Sequence, residues 1–526
     1  MGEIVNLLLW LAVVAFLAVP AIWMLKRIWS RGIESLHIVN LPSTVMSLLF
    51  IAPGVAMVYY FQTDQPVLGL IFLVLYGWLV WNSTVWSDIF TDLNFGQGSG
   101  DPDTDIVRRG ARVVDAAQMP VGINHGDGAD VVIGGVTIPR TLEAQHFLIS
   151  GTTGAGKTQV INGMLRSIRK RGHRAVIADP AGGFYARFGQ PGDVLVNPFD
   201  KRSVQWSPFA EVRADYDCER IAKAIVPDGV GSGAEWHHYA QTLIAQSMLA
   251  MHRKGEKSVK RLLYWLTTAE QKELAGLLEG TPAAALCSKG NDKMLASTRG
   301  IISTYLGVFQ YLADDGDFSI RKWIQEEHRA GFLFITYRDD QMGLLRNLVA
   351  TFLDMALVEG LSLSEDPNRG LWYVMDEVDS LGKVTSLRPA LTKLRKYGGR
   401  CVLGLQTIAQ LRTTYGRDEA QTLIANTSVK CILRAGDAET AKSMELELGE
   451  QEIERTQVND SFSSNDGGGS QSQSVSTQVV RQSAVLASEL MGLPDLHGFV
   501  KLPGDEIARI KVEYVAMPDV NPAYEG

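Results

Sequence analysis

The chain has 526 residues, enough for two or three domains, a formal net charge of −8 and four cysteines, Cys218, Cys287, Cys401 and Cys431. The acidic balance argues against a surface coated in basic side chains for nucleic acid, though a local positive channel remains compatible with it. No two cysteines form a CxxC pair, which argues against a zinc or disulfide framework and fits reduced thiols in a cytoplasmic setting.

Three apolar segments open the chain. The first, Ile4–Leu25, is followed by Lys26, Arg27 and Arg31, so its charge comes after the apolar run and favours a transmembrane anchor over a signal peptide. The second and third, Thr44–Phe61 and Val67–Trp86, flank the polar turn Gln62–Pro66 and predict a helical hairpin. Basic residues occupy the 26–31 linker and not the turn. The positive-inside rule therefore puts the linker in the cytoplasm, the turn outside and everything after Trp86 in the cytoplasm. Residues 1–87 are expected to form this region, with two spans and an interfacial Ile4–Leu25 as the alternative.

After a Gly/Asp-rich linker at Asn94–Asp105, Val131–Ile138 places β-formers on both sides of Gly134-Gly135 and predicts a hairpin. Phe147–Ile149 reads as a buried strand leading into a glycine loop and a helix from near Thr158. Ala175–Ala178 reads as another strand, ending at Asp179-Pro180. Between Gln205 and Arg329 the β-rich runs give way to helical periodicity, as in Tyr239–His252, Val259–Thr267 and Lys293–Leu312. Strands return at Phe332–Thr336, Leu371–Met375 and Cys401–Leu405. Short apolar strands alternating with helices imply a mostly parallel sheet covered on both faces.

The expected organisation is a nucleotide-binding domain in two parts, 88–204 and 331–456, split by an all-α insert at 205–330. The Ser/Gly/Gln-rich stretch 457–482 has little to bury and is expected to be a mobile loop. Two β-like runs in 483–526, Gly498–Leu502 and Ile507–Val515, are expected to rejoin the sheet.

The motif carrying most chemistry is Gly151-Thr152-Thr153-Gly154-Ala155-Gly156-Lys157-Thr158, a GxxxxGK[ST] loop between strand and helix. Its glycines let backbone N–H groups surround phosphates, Lys157 neutralises the β- and γ-phosphates, and the Thr158 hydroxyl can ligate Mg²⁺. Leu371–Met375 ends in Asp376-Glu377, where Asp376 can hold Mg²⁺ and Glu377 can polarise the attacking water. A Gly-rich turn and an acidic helix start are the plainer readings of the two segments. Their pairing favours an ATPase.

These motifs, with Val196–Asp200, Glu235–Ala240, Leu394–Gly399, Gly404–Thr407, Tyr415-Gly416 and Leu493–Leu496, resemble the type IV coupling proteins of conjugative plasmids and secretion systems. The resemblance spans most of the soluble part. It implies an α/β, RecA-like P-loop NTPase domain with an inserted all-α domain behind an N-terminal transmembrane region. It further implies an inner-membrane homo-hexamer using ATP and Mg²⁺ to pass relaxase-bound single-stranded DNA to a type IV secretion channel. Arg395 resembles an arginine finger acting on the neighbouring subunit, with Arg400 as its competitor from the residues alone. Gln406 resembles a polar sensor of the γ-phosphate. Two departures bear on topology and cargo: Ile4–Leu25 is extra to the usual hairpin, and the final strands are not followed by the long acidic tail of some relatives.

The basic run Arg166, Arg169, Lys170, Arg171, Arg174 reads first as a cationic helix end and second as a DNA contact. His237-His238 point in different directions on a helix, so anchoring by Trp236 and Tyr239 is a better account than a metal site. A septal DNA translocase would carry a long linker and a winged-helix reader, and an ABC subunit an LSGGQ-like signature. The functional alternative is a secretion receptor in which ATP binding gates docking of protein cargo.

Overall fold

The computed structural model describes residues 106–119, 128–229, 231–465, 468–504 and 506–526. The three expected membrane segments lie outside these residues, and no helix among the described residues is long and apolar enough to cross a membrane. Among the described residues, 106–456 with 475–526 form one compact unit, and 457–474 fall outside it.

In this unit the strands are β1 (Ile106–Gly110), β2 (Arg112–Asp115), β3 (Val132–Ile133), β4 (Val136–Thr137), β5 (Phe147–Ser150), β6 (Arg174–Pro180), β7 (Val194–Val196), β8 (Phe332–Tyr337), β9 (Leu371–Met375), β10 (Gly399–Leu405) and β11 (Val429–Leu433). They are followed by β12 (Glu450–Asn465), β13 (Gly468–Ser483), β14 (His497–Lys501) and β15 (Glu506–Lys511), with the outer parts of β12 and β13 lying outside the unit. Ten of them form one sheet in the order β2-β15-β14-β11-β5-β10-β9-β6-β8-β7. From β7 to β11 all neighbours are parallel, whereas β14 pairs antiparallel with both β11 and β15.

The parallel strands are buried on both faces, which explains their unbroken apolar sequences. Side chains alternate between two cores: Val176 and Ala178 of β6 join one, Ala175 and Ile177 the other. Leu371, Tyr373 and Met375 of β9 likewise separate from Trp372 and Val374. Between β7 and β8 the described residues carry helices and no named strand, the longest helix being Ala234–Arg253. Their apolar faces, including Leu243, Ile244 and Met248, continue the first core. Glu211 fastens the segment's end: its buried carboxylate accepts from Trp206 Nε1, Ser319 Oγ and the N–H groups of Ile320 and Arg321.

The β3–β4 hairpin turns through Gly134 and Gly135 at φ +55° and +91°, values that suit a type I′ turn. The stretch 457–482 is read from composition as a mobile loop; among its described residues, 457–465 lie in the long strand β12 and 468–482 in β13, and β12 also pairs with β1. Hydrogen bonding between strands satisfies the backbone whatever the side chains are, so low apolar content does not preclude extended structure.

Candidate nucleotide site

The glycine loop is suspended from the strands on either side of β5. Gly151 N–H donates to Leu405 O at 3.0 Å, and Thr152 N–H to Arg434 O at 2.8 Å. Gly154 and Gly156 take φ values of +78° and +114°, and a Cβ on Gly156 would come within 2.8 Å of Leu496 Cδ2. The helix Lys157–Lys170 is capped by this glycine, with no acidic residue in its first turn. Its first N–H groups and the positive end of its dipole thus face the loop, an arrangement that favours an anion.

Lys157 is only 7% exposed, and its ammonium donates to Gly151 O at 2.7 Å. Asp376, at the carboxyl end of β9, lies across β10 from the loop. A Cβ on Gly404 would overlap the Asp376 carbonyl oxygen, so glycine there lets the turn after β9 run close over β10. Val378 N–H completes that crossing with a 3.1 Å bond to Gly404 O. Glu377 Oε1 accepts from Gln406 Nε2 at 2.6 Å. A residue that sequence reasoning missed, Asp379, accepts from the N–H groups of Gln406 and Thr407.

The cluster is electrostatically unbalanced. Burial pushes the Asp376 carboxyl up to about 6 although Lys157 opposes the shift, and Glu377 and Asp379 push it the same way. Burial also raises Glu377 and lowers the Lys157 ammonium, against the pull of all three carboxylates. Asp376 Oδ1 and Asp379 Oδ1 are buried without a hydrogen-bond partner. A hard cation takes oxygen donors of this kind, so the donor set of Asp376 with the exposed Thr158 hydroxyl fits Mg²⁺. One ammonium and a helix N-terminus at the glycine loop suit phosphate.

A family model described as the type IV secretion-system coupling protein DNA-binding domain matches residues 130–513. The chain belongs to the type IV secretion-system coupling protein family. It is 30% identical over 410 residues to the coupling protein TraD of Escherichia coli strain K12, covering 76% of this chain and 57% of TraD. The chain thus spans little more than half the length of that relative. Plasmid coupling protein TrwB in complex with ADP and Mg²⁺ superposes with a TM-score of 0.72 at 36% identity, over 80% of this chain and 96% of that one. TrwB with a non-hydrolysable ATP analogue gives 0.71 at 35% identity, over 80% and 97%.

In this coupling protein Lys157, Asp376, Glu377 and Gln406 come together, and Arg395 does not join them. Arg395 is exposed on the short turn Leu394–Tyr397 that precedes β10. Arg400 is buried two residues into β10, where it pairs with Glu143 at 3.2 Å and donates to the carbonyls of Arg369 and Gly398 at 2.7 Å. Such a guanidinium is not free to reach another subunit.

Most of the basic run is used within the fold. Arg169 pairs with Asp193 at 2.6 Å and stacks on Phe332, Arg171 pairs with Glu143 at 2.8 Å, and Arg174 donates to the carbonyls of Trp323 and Ile324. His237 bonds Gly233 O and Tyr305, and Trp236 meets Tyr239 edge to face. Asp179, also unforeseen, ends β6 and accepts from Phe184 and Tyr185 N–H; burial and the field of Asp376 leave its carboxyl pushed up to about 7. An acid at a strand's carboxyl end was the available signal for it.

Proposed function

We propose that this coupling protein is an ATP-driven motor at the bacterial inner membrane. It passes relaxase-bound single-stranded DNA to a type IV secretion channel and works as a homo-hexamer anchored by the apolar segments of residues 1–87. The observation that supports the reading best is the buried cluster at the carboxyl ends of β5 and β9, where Lys157 opposes Asp376, Glu377 and Asp379. The likeness to TrwB, solved with ADP and Mg²⁺, supports the same ligands here.

In this reading Gly151–Thr158 cradle the phosphates, and Lys157 exchanges its loop carbonyls for phosphate oxygens. Thr158 and Asp376 hold Mg²⁺, which when bound supplies neutralisation of phosphate charge. Glu377 polarises the attacking water, and the Gln406 carboxamide fixes its carboxylate. Arg395, exposed, serves the neighbouring subunit's site.

Steady-state ATP hydrolysis measured with and without single-stranded DNA tests the proposal. Turnover that rises with DNA is expected. Hydrolysis indifferent to DNA but raised by a relaxase would shift the cargo to protein, and no hydrolysis under either condition would overturn the motor.

A further inference from the structure

We propose that Asp379 is a positioning residue that holds the Gln406–Thr407 backbone so that the Gln406 carboxamide reaches Glu377. The inference rests on the ATPase reading of the same site and adds a residue to it.

Asp379 sits in the turn after β9, 5% exposed, and its Oδ2 accepts from Gln406 N–H and Thr407 N–H, each at 3.3 Å. Neither neighbour needs that carboxylate for its own shape. The turn is already closed by Ser380, whose N–H and Oγ both donate to Glu377 O, and by Val378 N–H on Gly404 O. The helix Ile408–Tyr415 is already capped by Thr407 Oγ, which accepts from Gln410 N–H. What Asp379 adds is a link between two loops that otherwise meet through the Glu377–Gln406 bond.

The link is directional. Gln406 is the residue at which β10 gives way to the next helix, and its N–H lies on the chain side of the carboxamide that bonds Glu377. Fixing the backbone there limits where the carboxamide swings, and hence how Glu377 faces an attacking water. The two bonds are long, so a charged acceptor matters: hydrogen bonds to ionised groups are about twice as strong as neutral ones.

Three variants and one double variant test this: Asp379→Ala, Asp379→Asn, Gln406→Ala and Asp379→Ala with Gln406→Ala. Asp379→Ala should lose about 10- to 100-fold in kcat with the KM for Mg-ATP unchanged, from loss of a charge-assisted bond. Asp379→Asn, which keeps an acceptor of the same shape, should recover part of the loss. In the Gln406→Ala background, Asp379→Ala should cost less than about twofold, because the effect passes through Gln406.

Full multiplicative loss in the double variant would overturn the proposal, as would a loss carried by KM. Amide exchange at Gln406 and Thr407 provides a readout independent of turnover. Faster exchange in Asp379→Ala is expected even if the chain hydrolyses nothing, and unchanged exchange would overturn the positioning role whether or not ATP hydrolysis is confirmed.

Discussion

At the amino ends of β5 and β10, Glu143 lies between Arg171 at 2.8 Å and Arg400 at 3.2 Å, all three nearly closed to solvent. At the carboxyl ends of the same strands, Lys157 lies among Asp376, Glu377 and Asp379, and two of those carboxylates keep a buried oxygen without a partner. Apart from half-buried Glu377 the burial is similar, and the difference lies in the sign of the neighbours. At the first end carboxylate meets guanidinium and the charges hold the chain together; at the second, like charges share a low-dielectric space that a bound cation would relieve. Unrelieved burial of this kind marks where a fold gives up stability for chemistry, whereas paired burial marks scaffold.

The largest effect expected at the carboxyl end comes from a neighbouring subunit's Arg395, the proposed finger, which in its own chain precedes β10. Arginine fingers contribute about 10³–10⁵ in turnover, so Arg395→Ala should bind ATP and scarcely hydrolyse it. Lys157→Ala should be inactive for the complementary reason. Mixing the two under conditions of subunit exchange should restore activity, with a maximum at intermediate ratio. A flat baseline, with exchange confirmed, would remove Arg395 from a neighbour's site. Arg395→Ala should leave the melting temperature unchanged, since its side chain is exposed and takes no part in the paired cluster.

The amino end should answer differently. Glu143→Ala leaves the buried Arg400 guanidinium without its carboxylate and Arg171 with only Asp130 at 3.9 Å, and breaking a buried ion pair from one side costs about 3–5 kcal/mol. Urea melts should show that loss, while ATP affinity of the remaining folded protein stays unchanged. A stable Glu143→Ala protein with impaired ATP binding would reverse the assignment of the two ends.

The smallest effect is a pH dependence at that same end. His146 accepts from Cys401 N–H at Nδ1, and burial lowers its pKa to about 4. A depressed folded pKa means its contribution is complete above the ordinary value near 6.5 and is lost as pH falls toward 4. Between pH 7 and pH 5 that loss is about 2 kcal/mol. His146→Asn suits the residue's φ of +65° and keeps a neutral acceptor, so it should lose less stability over that interval than the parent. Equal losses measured by denaturant titration would take His146 out of the acid response.

Much of the carboxyl end was legible because its signals are local. The Gly151–Thr158 loop follows one strand and opens one helix, and Asp376-Glu377 ends another, so each motif carries its own structural context. What pattern reading could not supply was adjacency. Placing β10 between β5 and β9 brings Gln406 onto Glu377 and makes Gly404 the crossing point, yet strand order is set by long-range packing. Asp379 was hidden for the same reason, because its partners lie 27 and 28 residues away. Arg400 illustrates the converse: beside Arg395 in sequence it reads as an equal candidate, and only Glu143, 257 residues away, shows it to be committed. Composition alone could not show that the described residues of 457–482 lie in strands β12 and β13, because it reports burial and not backbone pairing.

The most direct test of the carboxyl end as the hydrolytic site is a single-turnover measurement on Glu377→Gln beside the parent chain, with Mg-ATP binding measured on the same samples. The substitution keeps the shape of the side chain and removes the carboxylate proposed to polarise the attacking water. Equal ATP affinity with hydrolysis slowed at least about 100-fold is expected, in line with the 10²–10⁴ typical of a positioned acid or base. Hydrolysis at the parent rate with affinity intact would contradict the assignment and place the reacting water elsewhere.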